Sequence, residues 1–183
     1  MDENGHVRLA HVGVYVRDIE RLRGFYTRAL GLVVTDQEVS EKRQIVFLSR
    51  NPEEHHQLVL VGGRPAAEEF NVVNQISFKV EELAAVQSCY RRLGSEPVTE
   101  IRPVTHGIAW SVYFRDPEGN RVEVFADTPW YVHQPYGSPI DLTRPAAEIA
   151  RETEALCRTL PGYRLRDQWR ADLQGRLAQR APA

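Results

Sequence analysis

Apolar and polar residues alternate with a period of two along positions 9–16, with Val12, Val14 and Val16 on one face and Leu9, His11, Gly13 and Tyr15 on the other. This predicts a strand. At Asp18 the period changes. Ile19, Leu22, Phe25, Tyr26 and Leu30 fall at helical spacing, with Asp18 placed to cap the helix and Gly31 to stop it. Strands are expected next at about 32–39, 43–50 and 56–62, with Asn51-Pro52 turning into the last and Gly62-Gly63 ending it. The same order then returns. Ile76, Phe78 and Val80 alternate with Gln75, Ser77 and Lys79 over 74–80, and Leu83, Val86, Tyr90 and Leu93 take helical spacing. Further strands are predicted at about 97–104, 108–115 and 121–126, the last entered through the tight turn at 116–120.

The two passages keep one register. His11 and Gln75, Ile19 and Leu83, and Tyr26 and Tyr90 are each 64 positions apart. The pattern is therefore an α+β tandem domain over residues 1–127, built of two βαβββ modules at about 8–63 and 73–127 with a linker at 64–72. A duplication of this kind brings equivalent strand positions to bear on one shared cavity. Beyond residue 127 the character changes. Thr128–Pro139 is rich in proline and aromatic residues and reads as an irregular extended arm. Two amphipathic helices are predicted at 145–159 and 165–179, parted by Pro161-Gly162. Both a cover for the cavity and a packing surface for a partner subunit are open roles for this 128–183 extension.

Composition removes several function classes. The 183 residues carry a net charge of −2 with no basic block, so nucleic acid is not an expected partner. No apolar run approaches the ~20 residues of a membrane span. The N-terminus lacks the basic-then-apolar order of a signal peptide. Two cysteines, Cys89 and Cys157, are too few for a disulfide framework and fit a reducing cytoplasm; Cys89 reads as a small buried hydrophobe.

The chemistry lies on the polar strand faces. The first strands of the modules offer His11 and Gln75; the last strands offer Gln57 and Glu123, aligned through Gln57-Leu-Val-Leu and Glu123-Val-Phe-Ala. With the valine and isoleucine faces turned to the helices, His11, Gln75 and Glu123 share the opposite face. Imidazole, amide oxygen and carboxylate are credible ligands for a borderline divalent metal, and three protein ligands leave positions open for catalysis. The plain alternative for His11 is a hydrogen-bonded strand histidine. A second group comprises His55 and His56, His106, and Tyr113 two residues after Ser111. A histidine beside a metal serves as general base, and a tyrosine hydroxyl donates to an oxyanion. The plain alternatives are a solvated strand end for His55 and His56 and a core aromatic for Tyr113. Period-two parity places His55, not His56, on the face of Gln57. Trp110, Trp130, Tyr131 and Tyr136 fit either a flat apolar ligand or core packing.

These motifs, in order, resemble the vicinal oxygen chelate superfamily, which includes glyoxalase I, bleomycin-resistance proteins and type I extradiol ring-cleavage dioxygenases. The resemblance covers residues 9–127. It rests on His11-Val-Gly-Val-Tyr-Val-Arg-Asp with Phe25-Tyr-Thr-Arg-Ala-Leu-Gly31, on His55-His56-Gln-Leu, on Asn74-Gln-Ile-Ser-Phe-Lys-Val, and on Tyr113-Phe-Arg-Asp-Pro-Glu-Gly-Asn-Arg-Val-Glu123. It implies the paired open barrel of the glyoxalase and extradiol dioxygenase fold. Within the superfamily the chain looks most like single-domain extradiol dioxygenases acting on biphenyl-2,3-diol or related catechols. His55-His56-x-Leu matches the acid–base histidine, Tyr113 the tyrosine on the substrate oxygen, and Glu123 the carboxylate ligand.

The resemblance thus implies a metal-dependent ring-cleavage dioxygenase for a small catechol-like aromatic diol. It would use iron(II), with manganese(II) or zinc(II) as alternatives, held by His11, Gln75 and Glu123; His55 or His56 would be the base, and Tyr113 and His106 would steady the ring oxygen. It also implies a homodimer. The chain departs from the dioxygenase pattern at Gln75, where the family has a second histidine. Glyoxalase I is described with a glutamine ligand, so the set stays competent, with looser metal binding expected. Gln57 stands where glyoxalases carry a glutamate, which argues against that branch. Two other readings remain open: a metal-free binding protein of the bleomycin-resistance type, and a non-redox isomerase or lyase in the glyoxalase manner.

Overall fold

The structure is a computed structural model and describes residues 9–42, 44–65 and 73–178. The first module runs β1 (Val12–Val16), α1 (Ile19–Leu30), β2 (Val33–Val39), β3 (Gln44–Ser49) and β4 (Leu58–Gly62). The second repeats it as β5 (Ile76–Val80), α2 (Leu83–Leu93), β6 (Thr99–Thr105), β7 (Ala109–Arg115) and β8 (Arg121–Asp127). The sheets are open and have the same topology, β1-β4-β3-β2 and β5-β8-β7-β6, each with a parallel outer pair, β1 with β4 and β5 with β8. The chain divides into two compact units, Met1–Val72 with Asp116–Gly119 and Val73–Arg115 with Asn120–Ala183.

Local chemistry explains α1. Asp18 Oδ1 accepts from the Arg21 backbone N–H at 2.9 Å, an N-cap bond that satisfies an otherwise orphaned donor. Gly31 ends the helix at φ 69°, a left-handed conformation that costs glycine nothing. Between the caps Ile19, Leu22, Phe25, Tyr26, Ala29 and Leu30 are buried. The copy keeps the apolar face but not the caps: Glu82 makes no side-chain capping bond and Gly94 stays right-handed. Tyr26 is fully buried, and its hydroxyl donates to Asp116 Oδ2 at 2.9 Å within the same unit. Tyr26→Phe deletes that charge-assisted bond. It is expected to lower stability by about 1.5–3 kcal/mol, read as a shifted urea midpoint at constant slope.

The strand register corrects one expected equivalence. Ser77 lies opposite Glu123, and Gly13 opposite Val59. The position that repeats Glu123 is therefore Val59, 64 residues earlier, and not Gln57. Gln57 precedes β4, and its side-chain oxygen accepts from the Arg50 backbone N–H at 3.0 Å.

The extension beyond residue 127 is more ordered than an irregular arm. It contains β9 (Trp130–Tyr131), a cis Gln134-Pro135 bond, and β10 (Ser138–Pro139), which adds a fifth strand beside β6. Then come α3 (Ala146–Arg158), β11 (Arg164–Leu165), paired with β9, and α4 (Arg166–Ala178). The helix α3 packs on its own unit. Ile149, Thr153 and Cys157 are buried, and Trp110 Nε1 donates to Thr153 Oγ1 at 2.9 Å. Trp110 and Trp130 meet edge to face at 6.1 Å, so both serve core packing. The helix α4 does not bury the apolar face its amphipathic reading called for. Trp169 and Leu173 are only half-buried and Leu177 is exposed. Its anchors are polar and aromatic instead: Arg166 reaches Asp127 at 2.7 Å, and Trp169 stacks on Tyr131 at 5.4 Å.

Candidate active site

In the second unit the register builds a row of side chains across the sheet. Ser77 on β5 lies opposite Glu123 on β8, Glu123 opposite Tyr113 on β7, and Tyr113 opposite Arg102 on β6. Directly opposed residues share a face. Glu123 is 7% exposed, and its Oε2 accepts from Ser77 Oγ at 2.6 Å and from Gln75 Nε2 at 3.0 Å. Tyr113 lies opposite this carboxylate on the neighbouring strand. On its other side the Tyr113 hydroxyl lies 2.8 Å from His106 Nε2, and His106 Nδ1 lies 2.6 Å from the Tyr136 carbonyl. The structure thus brings together four residues named from the sequence: Gln75 is bonded to Glu123, His106 to Tyr113, and register sets Glu123 opposite Tyr113. Ser77 is an addition that sequence reading missed, although its place on the Gln75 face was visible.

Proton positions in this chain follow from donor arithmetic. A backbone carbonyl only accepts, so His106 Nδ1 carries a hydrogen. In neutral His106 the Nε2 lone pair then takes the Tyr113 hydrogen. In protonated His106 Nε2 donates, and the Tyr113 hydrogen is released from it. Burial pushes the Tyr113 phenol well above its ordinary pKa, and the neighbouring Glu123 carboxylate adds to this, against smaller opposing effects of Arg121 and Arg102. Tyr113 is accordingly a neutral donor. The guanidinium carbons of Arg102 and Arg121 lie 5.5 Å and 5.0 Å from its ring centroid. These groups line a cleft of about 440 Å³ with Glu100, Ile101, Phe114 and Arg115. Two residues before Tyr113, Ser111 Oγ is buried without a hydrogen-bond partner among the described residues.

In the first unit His11 precedes β1 and is exposed. Its ring lies 4.3 Å from that of His56. His55 and His56 sit in the turn before β4 rather than in the strand, so period-two parity does not hold there. It is His56, not His55, that faces His11. His55 Nε2 contacts Asp36 Oδ2 at 3.0 Å, and its Nδ1 lies 2.9 Å from His56 Nδ1. With Asp36 accepting from His55 Nε2–H, neutral His55 accepts from His56 Nδ1–H, and the His56 Nε2 lone pair is left free. Desolvation lowers the His56 pKa, and the neighbouring charges of His11 and His55 lower it further. Asp36 carries no sequence signal for this role; only the pairing of β2 with β3 brings it to this end of the sheet.

Among the described residues no three His, Cys, Asp or Glu side chains form a metal cage. The donors present still suit a divalent cation: the Glu123 carboxylate is buried and held by side chains that only need to reorient, and the Gln75 amide beside it offers an oxygen. Which amide atom of Gln75 faces Glu123 is an assignment from the hydrogen bonding.

Comparison with known proteins agrees with this architecture. The Glyoxalase/Bleomycin resistance protein/Dioxygenase superfamily model matches residues 8–124. Biphenyl-2,3-diol 1,2-dioxygenases 2 and 3 of Rhodococcus globerulus are 29% and 31% identical to the chain, each over 66% of it and 63% of the relative. The chain thus spans about 63% of the length of these two dioxygenases. A lactoylglutathione lyase of Salmonella typhimurium is 26% identical over 64% of the chain and 91% of that protein. Among solved structures, a glyoxylase/bleomycin resistance protein/dioxygenase domain from Frankia sp. EAN1pec superposes with TM-score 0.57 at 19% identity, covering 67% of this chain and 99% of that one. The fosfomycin resistance protein FosX from Listeria monocytogenes, complexed with manganese(II) and sulfate, superposes at 0.53 with 18% identity over 66% of this chain and 93% of its own. With two repeated βαβββ modules and a family model spanning both, the chain belongs to the Glyoxalase/Bleomycin resistance protein/Dioxygenase superfamily.

Proposed function

We propose that the chain is a metal-dependent extradiol-type ring-cleavage dioxygenase acting on a catechol-like aromatic diol. The observation that carries this reading is Tyr113: a neutral phenol bonded to His106, set opposite the buried Glu123 carboxylate on the neighbouring strand, and lining a cleft of about 440 Å³. That volume suits one aromatic ring. His11, Gln75 and Glu123 are the proposed ligands, for iron(II) in the first place and manganese(II) or zinc(II) otherwise. Bound there, the cation would supply a Lewis acid that ionises a vicinal diol and brings oxygen to the same centre. Gln75 and Ser77 orient the Glu123 carboxylate through their hydrogen bonds. With His106 protonated and donating from Nε2 to the phenol oxygen, Tyr113 presents its hydrogen to a ring oxygen. His56, with its free Nε2, takes the second phenolic proton; Asp36 and His55 fix its tautomer. The relatives named as biphenyl-2,3-diol dioxygenases support this branch. Val59 weighs against the glyoxalase branch, because the position that repeats Glu123 holds hydrocarbon where a carboxylate is required.

The test is anaerobic loading of the purified chain with iron(II) and a broad panel of catechols, followed by air. A yellow ring-fission product is expected. Its absence across the panel, with iron still bound, rejects the assignment. The pH profile tests the base. Because the His56 pKa lies below the ordinary 6.5 of an imidazole, its neutral form persists below that pH. The acid limb of kcat/KM is therefore expected below pH ~6.5, lost as pH falls through the lowered pKa. His56→Gln removes this limb and lowers kcat by roughly 10²–10⁴-fold, whereas His55→Gln keeps it. A limb unmoved in His56→Gln assigns the base elsewhere.

A further inference from the structure

Arg102 and Arg121 flank Tyr113, and neither has an ion-pair or hydrogen-bond partner among the described residues. Several arginines of the same unit are neutralised, among them Arg115 by Glu100 at 3.0 Å, Arg144 by Glu152 at 2.6 Å and Arg166 by Asp127 at 2.7 Å. The carboxylates at this site are already engaged. Glu100 bonds Arg115, and Glu123 is bonded by Ser77 and Gln75. Two like charges beside one ring repel, and stacking on that ring satisfies none of their N–H donors. Both guanidinium groups line the cleft with Tyr113. The register also puts Arg102 and Tyr113 on the face that carries Glu123. A planar fork of donors lining a cavity whose lining carboxylate, Glu100, is bonded to Arg115 is a receptor for an anionic oxygen group.

Resting on the ring-cleavage reading above, we propose that the substrate is a catechol whose ring carries such a group, a carboxylate or a phosphonate, and that Arg102 and Arg121 hold it while Tyr113 meets a ring hydroxyl. The sites for charge and for the diol then lie side by side, so the anion sets the orientation of the ring.

The test is calorimetric titration of the full chain, without added metal, with 3,4-dihydroxybenzoate, 4-methylcatechol, benzoate and phenylphosphonate. The dihydroxybenzoate is expected to bind roughly tenfold more tightly than the methylcatechol, with an advantage that shrinks as salt is raised. In the double variant Arg102→Gln, Arg121→Gln the preference is expected to fall below about threefold. Benzoate against phenylphosphonate ranks the two anion types. Equal affinity for charged and neutral catechol, or a preference that survives in the double variant, overturns the proposal. The comparison in the unmodified chain decides the question even where the double variant fails to fold. The two readings separate cleanly. Arginine-dependent benzoate binding without ring fission in iron(II)-loaded protein keeps the anion site and removes the dioxygenase. Ring fission of 4-methylcatechol with the same kcat/KM as the dihydroxybenzoate does the reverse.

Discussion

On the proposed ligand set, Glu123→Gln is expected to abolish metal binding and ring cleavage together. The substitution keeps side-chain volume and removes the charge. It also replaces an acceptor-only group with an amide, so that two amide nitrogens compete at the place where Gln75 Nε2 now donates to Glu123 Oε2 at 3.0 Å. Removing a hydrogen-bonded support of a metal ligand costs roughly 10–100-fold in metal affinity, and removing the carboxylate ligand itself is expected to cost at least that much. The measurement is manganese(II) or iron(II) binding by the purified variant beside its turnover. The donors left facing the amide, Ser77 Oγ and Gln75 Nε2, are expected to lower stability by about 1–3 kcal/mol as well. Metal affinity unchanged within about threefold would remove Glu123 from the ligand set, and the proposed chemistry with it.

Tyr113→Phe is the second large effect, and it separates rate from binding. Phenylalanine keeps the ring on which Arg102 and Arg121 stack at 5.5 Å and 5.0 Å and deletes only the hydroxyl. Loss of one preorganised donor to a developing oxyanion costs roughly 10²–10³-fold in kcat. KM is expected to move little, because the contacts made in the ground state are retained. The signature is a fall in kcat at constant metal content. A change confined to KM would make Tyr113 a wall of the cleft and nothing more.

Much of this was legible in the sequence for definite reasons. Strand alternation at 9–16 and 74–80, helical spacing from Ile19 to Leu30, and Gly31 in a left-handed cap are local properties, and they appear where the pattern put them. The 64-residue repeat carried the topology, because the same run of elements buries its apolar face in the same way twice. It also brought Gln75 and Glu123 to one face of the second sheet. Local patterns failed where the backbone left regular structure. His55 and His56 lie in a turn, so alternation could not say which of them faces His11. Gln57 lies just before β4, and an alignment by side-chain likeness missed the true match by two positions. The helix at 166–178 showed apolar residues at helical spacing, yet only Trp169 and Leu173 of that stripe are even half-buried.

The amino-acid sequence by itself determined the βαβββ duplication, the helix caps of the first module, the family, and the polar residues available for catalysis, since each depends on neighbours a few positions apart or on a repeated spacing. Only the tertiary structure decided that Val59 repeats Glu123, that Asp36 supports His55, that Ser77 holds the carboxylate, and that Arg102 and Arg121 converge on Tyr113 without a counter-ion among the described residues. Those relations are set by strand register and turn geometry, where a shift of one residue turns a side chain to the opposite face of the sheet.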